Sequence, residues 1–195
     1  MMTLVKLIDR AKAHSLTYNV ITPQSSSTTV PPFNTTLVDP SVLFLLNFTT
    51  AQRSALLTSK STLALLYTPA NEHFGIGPVE AMYCGVPVLA CNSGGPTESI
   101  LDKDGERTGW LREPDPEIWA DTLLEMVNMS PDERRALTER AKLRATELFS
   151  MDAMASGIES ALREAAAMGP VGFPFSIWTL LAVLSAILAF VCLRL

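Results

Sequence analysis

TLALLYTPANEHFGIGPVEAMYCGVPVLAC, residues 62–91, decides the fold. It opens and closes on short apolar runs, residues 62–68 (TLALLYT) and 86–91 (VPVLAC). Between them lie a loop punctuated by Gly75 and Gly77 and a helical segment over residues 78–84, with Pro78 in its first turn. The two runs are hydrophobic throughout rather than at alternate positions, as in strands covered on both faces. Strands of that kind joined by a helix pair in parallel through a right-handed crossover.

The same alternation continues outward on both sides. Upstream, residues 42–47 (VLFLLN) read as another buried strand followed by a helix over 50–59, and 17–22 (TYNVIT) as a short β-rich run. Residues 2–14 form a helix with Leu4, Leu7, Ile8 and Ala11 on one face. Residues 23–40 (PQSSSTTVPPFNTTLVDP) are a Ser/Thr/Pro-rich loop or disordered insert. Downstream come a short helix over 96–101, a last strand over 108–111, and helices over 116–129, 131–148 and 152–168. The expected class is α/β: one doubly wound, Rossmann-like parallel sheet within residues 1–168. Such a sheet binds its ligand at the carboxyl ends of its strands.

Composition narrows the function. The 195 residues include 15 Lys+Arg and 20 Asp+Glu, a net charge of −5, which argues against a nucleic-acid partner. At 48% hydrophobic and 18% charged, the chain is too apolar to be disordered. Cys84, Cys91 and Cys192 show no metal-ligand spacing and read as small buried hydrophobes in a reducing compartment.

The apolar excess is concentrated in the tail. The 29 residues between Glu164 and Arg194 are uncharged, and the 19 of them at 175–193 also lack Pro and Gly. A helix of that length spans about 28 Å, close to the ~30 Å hydrocarbon core of a bilayer. We therefore expect a linker over 169–174 and a transmembrane helix over 175–193. With no secretory signal visible at the amino terminus, the body is expected to face the cytosol. The acceptor patterns at Asn34 and Asn47 would then stay unmodified.

The loop after the 62–68 strand holds the candidate chemistry. Gly75 and Gly77 allow close approach of the backbone to a ligand, and a helix N-terminus presents unpaired N–H groups to an anion such as a diphosphate. Glu72 in the loop and Glu80, expected in the first helical turn, could grip the hydroxyls of a polyol from two sides. Each element also has a plainer reading: Glu80 as a first-turn acid favoured by the helix dipole, the glycines as turn formers, and His73 as a packed loop histidine.

The whole string is more specific. Glu72-His73-Phe74-Gly75-Ile76, Glu80-Ala81-Met82, Gly85-Val86-Pro87-Val88 and Asn92-Ser93-Gly94-Gly95-Pro96-Thr97-Glu98-Ser99-Ile100 resemble the nucleotide-sugar site of retaining GT-B glycosyltransferases. Within them, the combination is most similar to the α-1,3/1,6-mannosyltransferases of dolichol-linked oligosaccharide synthesis. The resemblance implies that Glu72 is the catalytic candidate, touching the donor sugar's hydroxyls, and that Glu80 accepts from the ribose. It implies that His73 belongs to the same donor loop and that N–H groups around Phe74, Gly75 and Ile76 meet the sugar and diphosphate. Gly94 and Gly95 would form a second close-approach loop.

The same resemblance implies a donor, GDP-mannose, and an acceptor, Man-GlcNAc2-PP-dolichol, with no metal or other cofactor. It also implies a position at the endoplasmic reticulum membrane. The chain corresponds to the C-terminal donor half of a GT-B fold. An N-terminal acceptor domain, in cis or in trans, and the phosphate-gripping Arg and Lys of the donor domain's first strand lie outside the match. Two alternatives stand beside this reading: a non-catalytic, membrane-anchored nucleotide-sugar-binding or docking module, and a transferase for another lipid-linked acceptor.

Overall fold

Every strand pair among the described residues is parallel. In the computed structural model, which describes residues 3–21, 39–169 and 177–192, the strands form two sheets. β1 (Tyr18–Ile21) pairs with β2 (Val42–Leu45), with Tyr18 opposite Val42. β3 (Leu65–Tyr67), β4 (Val88–Cys91) and β5 (Trp110–Arg112) form the second, with Leu65 opposite Val88 and Leu89 opposite Trp110. The expected single sheet is thus a pair of parallel sheets among the described residues. Only β4 has a strand on both edges and is buried at all four positions; Val20, Ile21 and Leu43 of the smaller sheet remain over a third exposed. Most of the 23–40 insert lies outside the described residues, as does most of the 169–174 linker.

Helices connect the strands: α1 (Thr3–Ala13) before β1, α2 (Thr50–Thr58) between β2 and β3, α3 (Ile76–Cys84) between β3 and β4, and the short α4 (Pro96–Ser99) before β5. α5 (Pro116–Asn128) and α6 (Pro131–Phe149) follow. Their starts are encoded locally. Thr49 and Gln52 form a reciprocal capping box on α2, Asp115 caps α5 with Pro116 in its first turn, and Ser130 with Glu133 does the same for α6.

The core lies on both faces of β4. On one side Val88 and Ala90 pack with Val79, Ala81 and Met82 of α3, Ile100, and Ala141 and Ala145 of α6. On the other, Leu89 packs with Trp110, Met126 and Leu137. α6 is fastened by arginines to backbone carbonyls at the ends of α4 and α5 and in two loops. Arg134 donates to Leu63 and Met126, Arg140 to Arg107, and Arg144 to Glu98 and Ser99. β5 is held by Asp102, which accepts from the Leu111 N–H and from the guanidinium groups of Arg107 and Arg112. Burial alone would raise the Asp102 carboxyl; these donors and the two positive charges outweigh it and hold it below its ordinary value.

Residues 1–149 form one compact unit and 150–195 a second. The second contains α7 (Met151–Ala167), whose start is capped by Ser150 accepting from the Ala153 N–H, and α8 (Ile177–Cys192). The expected transmembrane helix over 175–193 is not supported: no helix of the described residues is long and apolar enough to cross a membrane. Positions 175, 176 and 193 of the expected span lie outside the described residues.

Candidate functional site

Two loops leave the carboxyl ends of adjacent strands and meet. The loop after β3 carries Glu72, His73 and Phe74; the loop after β4 carries Asn92 to Gly95. Gly95 N–H donates to the Glu72 carbonyl at 2.7 Å, and Asn71 N–H to the Ser93 hydroxyl at 3.1 Å. A Cβ on Gly94 would lie 2.2 Å from the Glu72 carbonyl oxygen, and one on Gly95 2.3 Å from Phe74 Cα and its carbonyl oxygen. Their close approach is therefore to the other loop, where the sequence pointed to a ligand. These glycines let the Glu72 loop be held in one place. Behind the joint, the buried Cys91 thiol donates to the Thr68 carbonyl at 3.3 Å, and burial and then the Glu113 charge raise its pKa.

α3 opens where the loop ends. Gly75 takes a left-handed conformation (φ 78°, ψ 76°) as the N-cap, and no side chain caps the helix there. The first-turn N–H groups thus point out of the helix with no cap of their own, the usual arrangement of an anion site. His73, Phe74 and Ile76 are exposed around this opening, with Phe74 meeting Phe149 edge-on at 5.6 Å between centroids. α3 begins at Ile76, two residues before the expected start, because Gly75 turns the chain early. That places Glu80 in the second turn, not the first, and removes the reading of Glu80 as a first-turn capping acid.

Glu80 instead faces α2. Its Oε1 pairs with Arg53 at 2.8 Å, while its Oε2 is buried with no hydrogen-bond partner among the described residues. A buried carboxylate oxygen left unmatched costs about 1–3 kcal/mol or more, so it marks a place where a donor is expected. Arg53 was not legible as a site residue, since only the packing of α2 on α3 brings it across 27 positions of sequence. Tyr67, the last residue of β3, was also missed. Its ring lies under Gly75 and Gly77, and its phenol is raised by burial, then by the Glu72 charge and by hydrogen bonding to Glu72. Among the described residues, no three His, Cys, Asp or Glu side chains form a group that could hold a metal ion.

This arrangement has close relatives. Residues 36–144 match the family described as glycosyl transferases group 1. The chain belongs to that family. Among curated glycosyl transferases, the α-1,3/1,6-mannosyltransferase ALG2 of Rhizomucor pusillus is 38% identical over 144 residues, 74% of this chain and 29% of that protein. Its Neurospora crassa counterpart is 41% identical over 160 residues, 81% of this chain and 31% of that protein. The chain therefore spans just under a third of the length of these relatives. Among solved structures, sucrose-phosphate synthase from Thermosynechococcus elongatus matches with a TM-score of 0.52 at 25% identity, over 65% of this chain and 31% of that one. The α/β, GT-B-like fold with parallel strands expected from the sequence is thus shared.

Proposed function

We propose that this chain forms the nucleotide-sugar side of a retaining mannosyltransferase. The whole enzyme moves mannose from GDP-mannose onto Man-GlcNAc2-PP-dolichol, first in α-1,3 and then in α-1,6 linkage. The observation that carries the reading is the unmatched, buried Oε2 of Glu80 beside the uncapped start of α3 and the pinned Glu72 loop. The activity for which the fungal relatives are named supports the choice of sugar and linkage.

In this reading the diphosphate meets the N–H groups around Phe74, Gly75 and Ile76, a ribose hydroxyl donates to Glu80, and mannose hydroxyls donate to Glu72. As the bond to the diphosphate breaks, negative charge gathers on the leaving group and positive charge on the sugar ring. The helix N-terminus stabilises the first and the Glu72 carboxylate the second. The donor is a substrate, and the reading uses neither metal nor cofactor. The acceptor is held by a second domain, in cis or in trans. Orientation is worth about 7–11 kcal/mol of barrier, so this chain alone gives no measurable turnover. Because the acceptor is a lipid and α8 is uncharged and apolar, the reading puts the body at the cytosolic face of the endoplasmic reticulum membrane.

Calorimetric titration with GDP and GDP-mannose tests the site. Glu80→Gln should weaken both ligands together by roughly tenfold or more, and Glu72→Gln should weaken GDP-mannose more than GDP. The opposite pattern reverses the two assignments. Carbonate extraction of the chain made with microsomes tests the location; a body that washes off, or is glycosylated at Asn34 or Asn47, refutes it.

A further inference from the structure

We infer that Arg53 is a positioning residue: by pairing with Oε1 of Glu80 it fixes the carboxylate so that Oε2 is the oxygen left to accept from a ribose hydroxyl. The inference rests on the donor-site reading above and deepens it at the nucleotide end. Arg53 closes the first turn of α2, its N–H donating to the Thr49 carbonyl at 3.0 Å, and the Thr49–Gln52 capping box holds that turn. Leu57, one turn further along the same face, packs against the core that contains Val79, Ala81 and Met82 of α3. Glu80 stands between the buried Val79 and Ala81. Packing thus fixes both backbones that carry the charged groups, and the 2.8 Å contact from Arg53 Nη2 to Glu80 Oε1 bridges them.

The bridge adds little to stability, because the two side chains are 36% and 27% exposed and water screens such pairs. What it sets is orientation. A free glutamate loses rotamer freedom when a ligand orders it; one already held by an arginine has lost that freedom on folding. The grip is also one-sided. Arg53 reaches a single oxygen instead of making the two-pronged contact a guanidinium can make with a carboxylate. Oε2 is left over, buried and with no hydrogen-bond partner among the described residues. A buried acceptor in that state calls for a donor, and a ribose hydroxyl supplies one without displacing a protein group.

Titrating the full chain with GDP and with dideoxy-GDP, which lacks both ribose hydroxyls, tests this in wild type, Arg53→Met and Glu80→Ala. The wild type should bind GDP about tenfold or more tightly than dideoxy-GDP. Arg53→Met keeps an unbranched apolar stem and should shrink that ratio to about threefold or less, while dideoxy-GDP affinity stays within about twofold of wild type. Glu80→Ala removes the acceptor and should abolish the ratio. If Glu80→Ala abolishes it and Arg53→Met leaves it at the wild-type value, the Arg53 role is wrong and the donor site stands. An equal loss of both nucleotides in Arg53→Met also overturns the inference, because Arg53 then acts on the diphosphate, the base or the fold and not through Glu80. If the wild type binds neither nucleotide or both equally, or Glu80→Ala leaves the ratio intact, the donor-site reading fails and this inference fails with it.

Discussion

Gly95→Ala separates backbone propensity from packing, because the two predict opposite signs. Gly95 has φ −55° and ψ −35°, a conformation alanine adopts freely, and a glycine-to-alanine change at a compatible position normally stabilises by about 0.4–1 kcal/mol. That gain shrinks here because the residue before Pro96 is disfavoured in the helical region once it carries a Cβ. The new Cβ would sit 2.3 Å from Phe74 Cα and 2.5 Å from its carbonyl carbon, whereas carbon atoms rest about 3.5–4.0 Å apart. The obstructing atoms are backbone, so the loop must retreat by roughly 1.2 Å. Such a shift carries the 2.7 Å bond from Gly95 N–H to Glu72 beyond hydrogen-bonding distance. Overpacking of this kind costs about 1–3 kcal/mol and the lost bond about 0.5–1.5. The net expectation is a loss of about 2–3 kcal/mol, or roughly 4–12 °C in midpoint for a unit of this size. Urea denaturation followed by tryptophan fluorescence reads it, since Trp110 is buried in the same unit. Gly157→Ala in α7 is the control: its Cβ meets nothing within 4 Å, so it should add about 0.5–1 kcal/mol to that helix. A Gly95→Ala chain as stable as the parent would refute the reasoning.

Three further outcomes follow from the ion pairs and shifted groups. Arg53→Ala should cost only about 0.5–1 kcal/mol, less in high salt, because the pair with Glu80 is partly exposed; urea midpoints at two salt concentrations check this. The Asp102 carboxyl is depressed in the folded state, so its contribution is complete above the ordinary value of 3.8 and is lost as pH falls through the folded value. Asp102→Asn should therefore flatten the acid side of the stability profile, and a variant with the parent's acid slope contradicts it. The Tyr67 phenol is raised, so its contribution is present below 10.0 and is lost as pH climbs through the folded value. Ultraviolet titration should show one of the three tyrosines ionising late, and Glu72→Gln should bring it down.

The amino-acid sequence by itself determined most of the elements and the strand ends from which the candidate loops leave. Uninterrupted apolar residues at 88–91 require cover on both faces, and β4 is buried at every position. Gly75 and Pro116 act within a turn or two of their own positions, so their effects were legible or nearly so, although α3 starts two residues earlier than expected. Hydropathy alone also suggested a membrane span over 175–193, which no helix of the described residues is long and apolar enough to support. Only the tertiary structure decided what each site residue touches. Gly94 and Gly95 meet a loop some twenty positions away, Arg53 reaches Glu80 across two helices, and Tyr67 lies beneath glycines that follow it by eight and ten residues. Periodicity encodes which face of an element is buried. The identity of the atoms that cover that face is set by long-range packing, which no local pattern records.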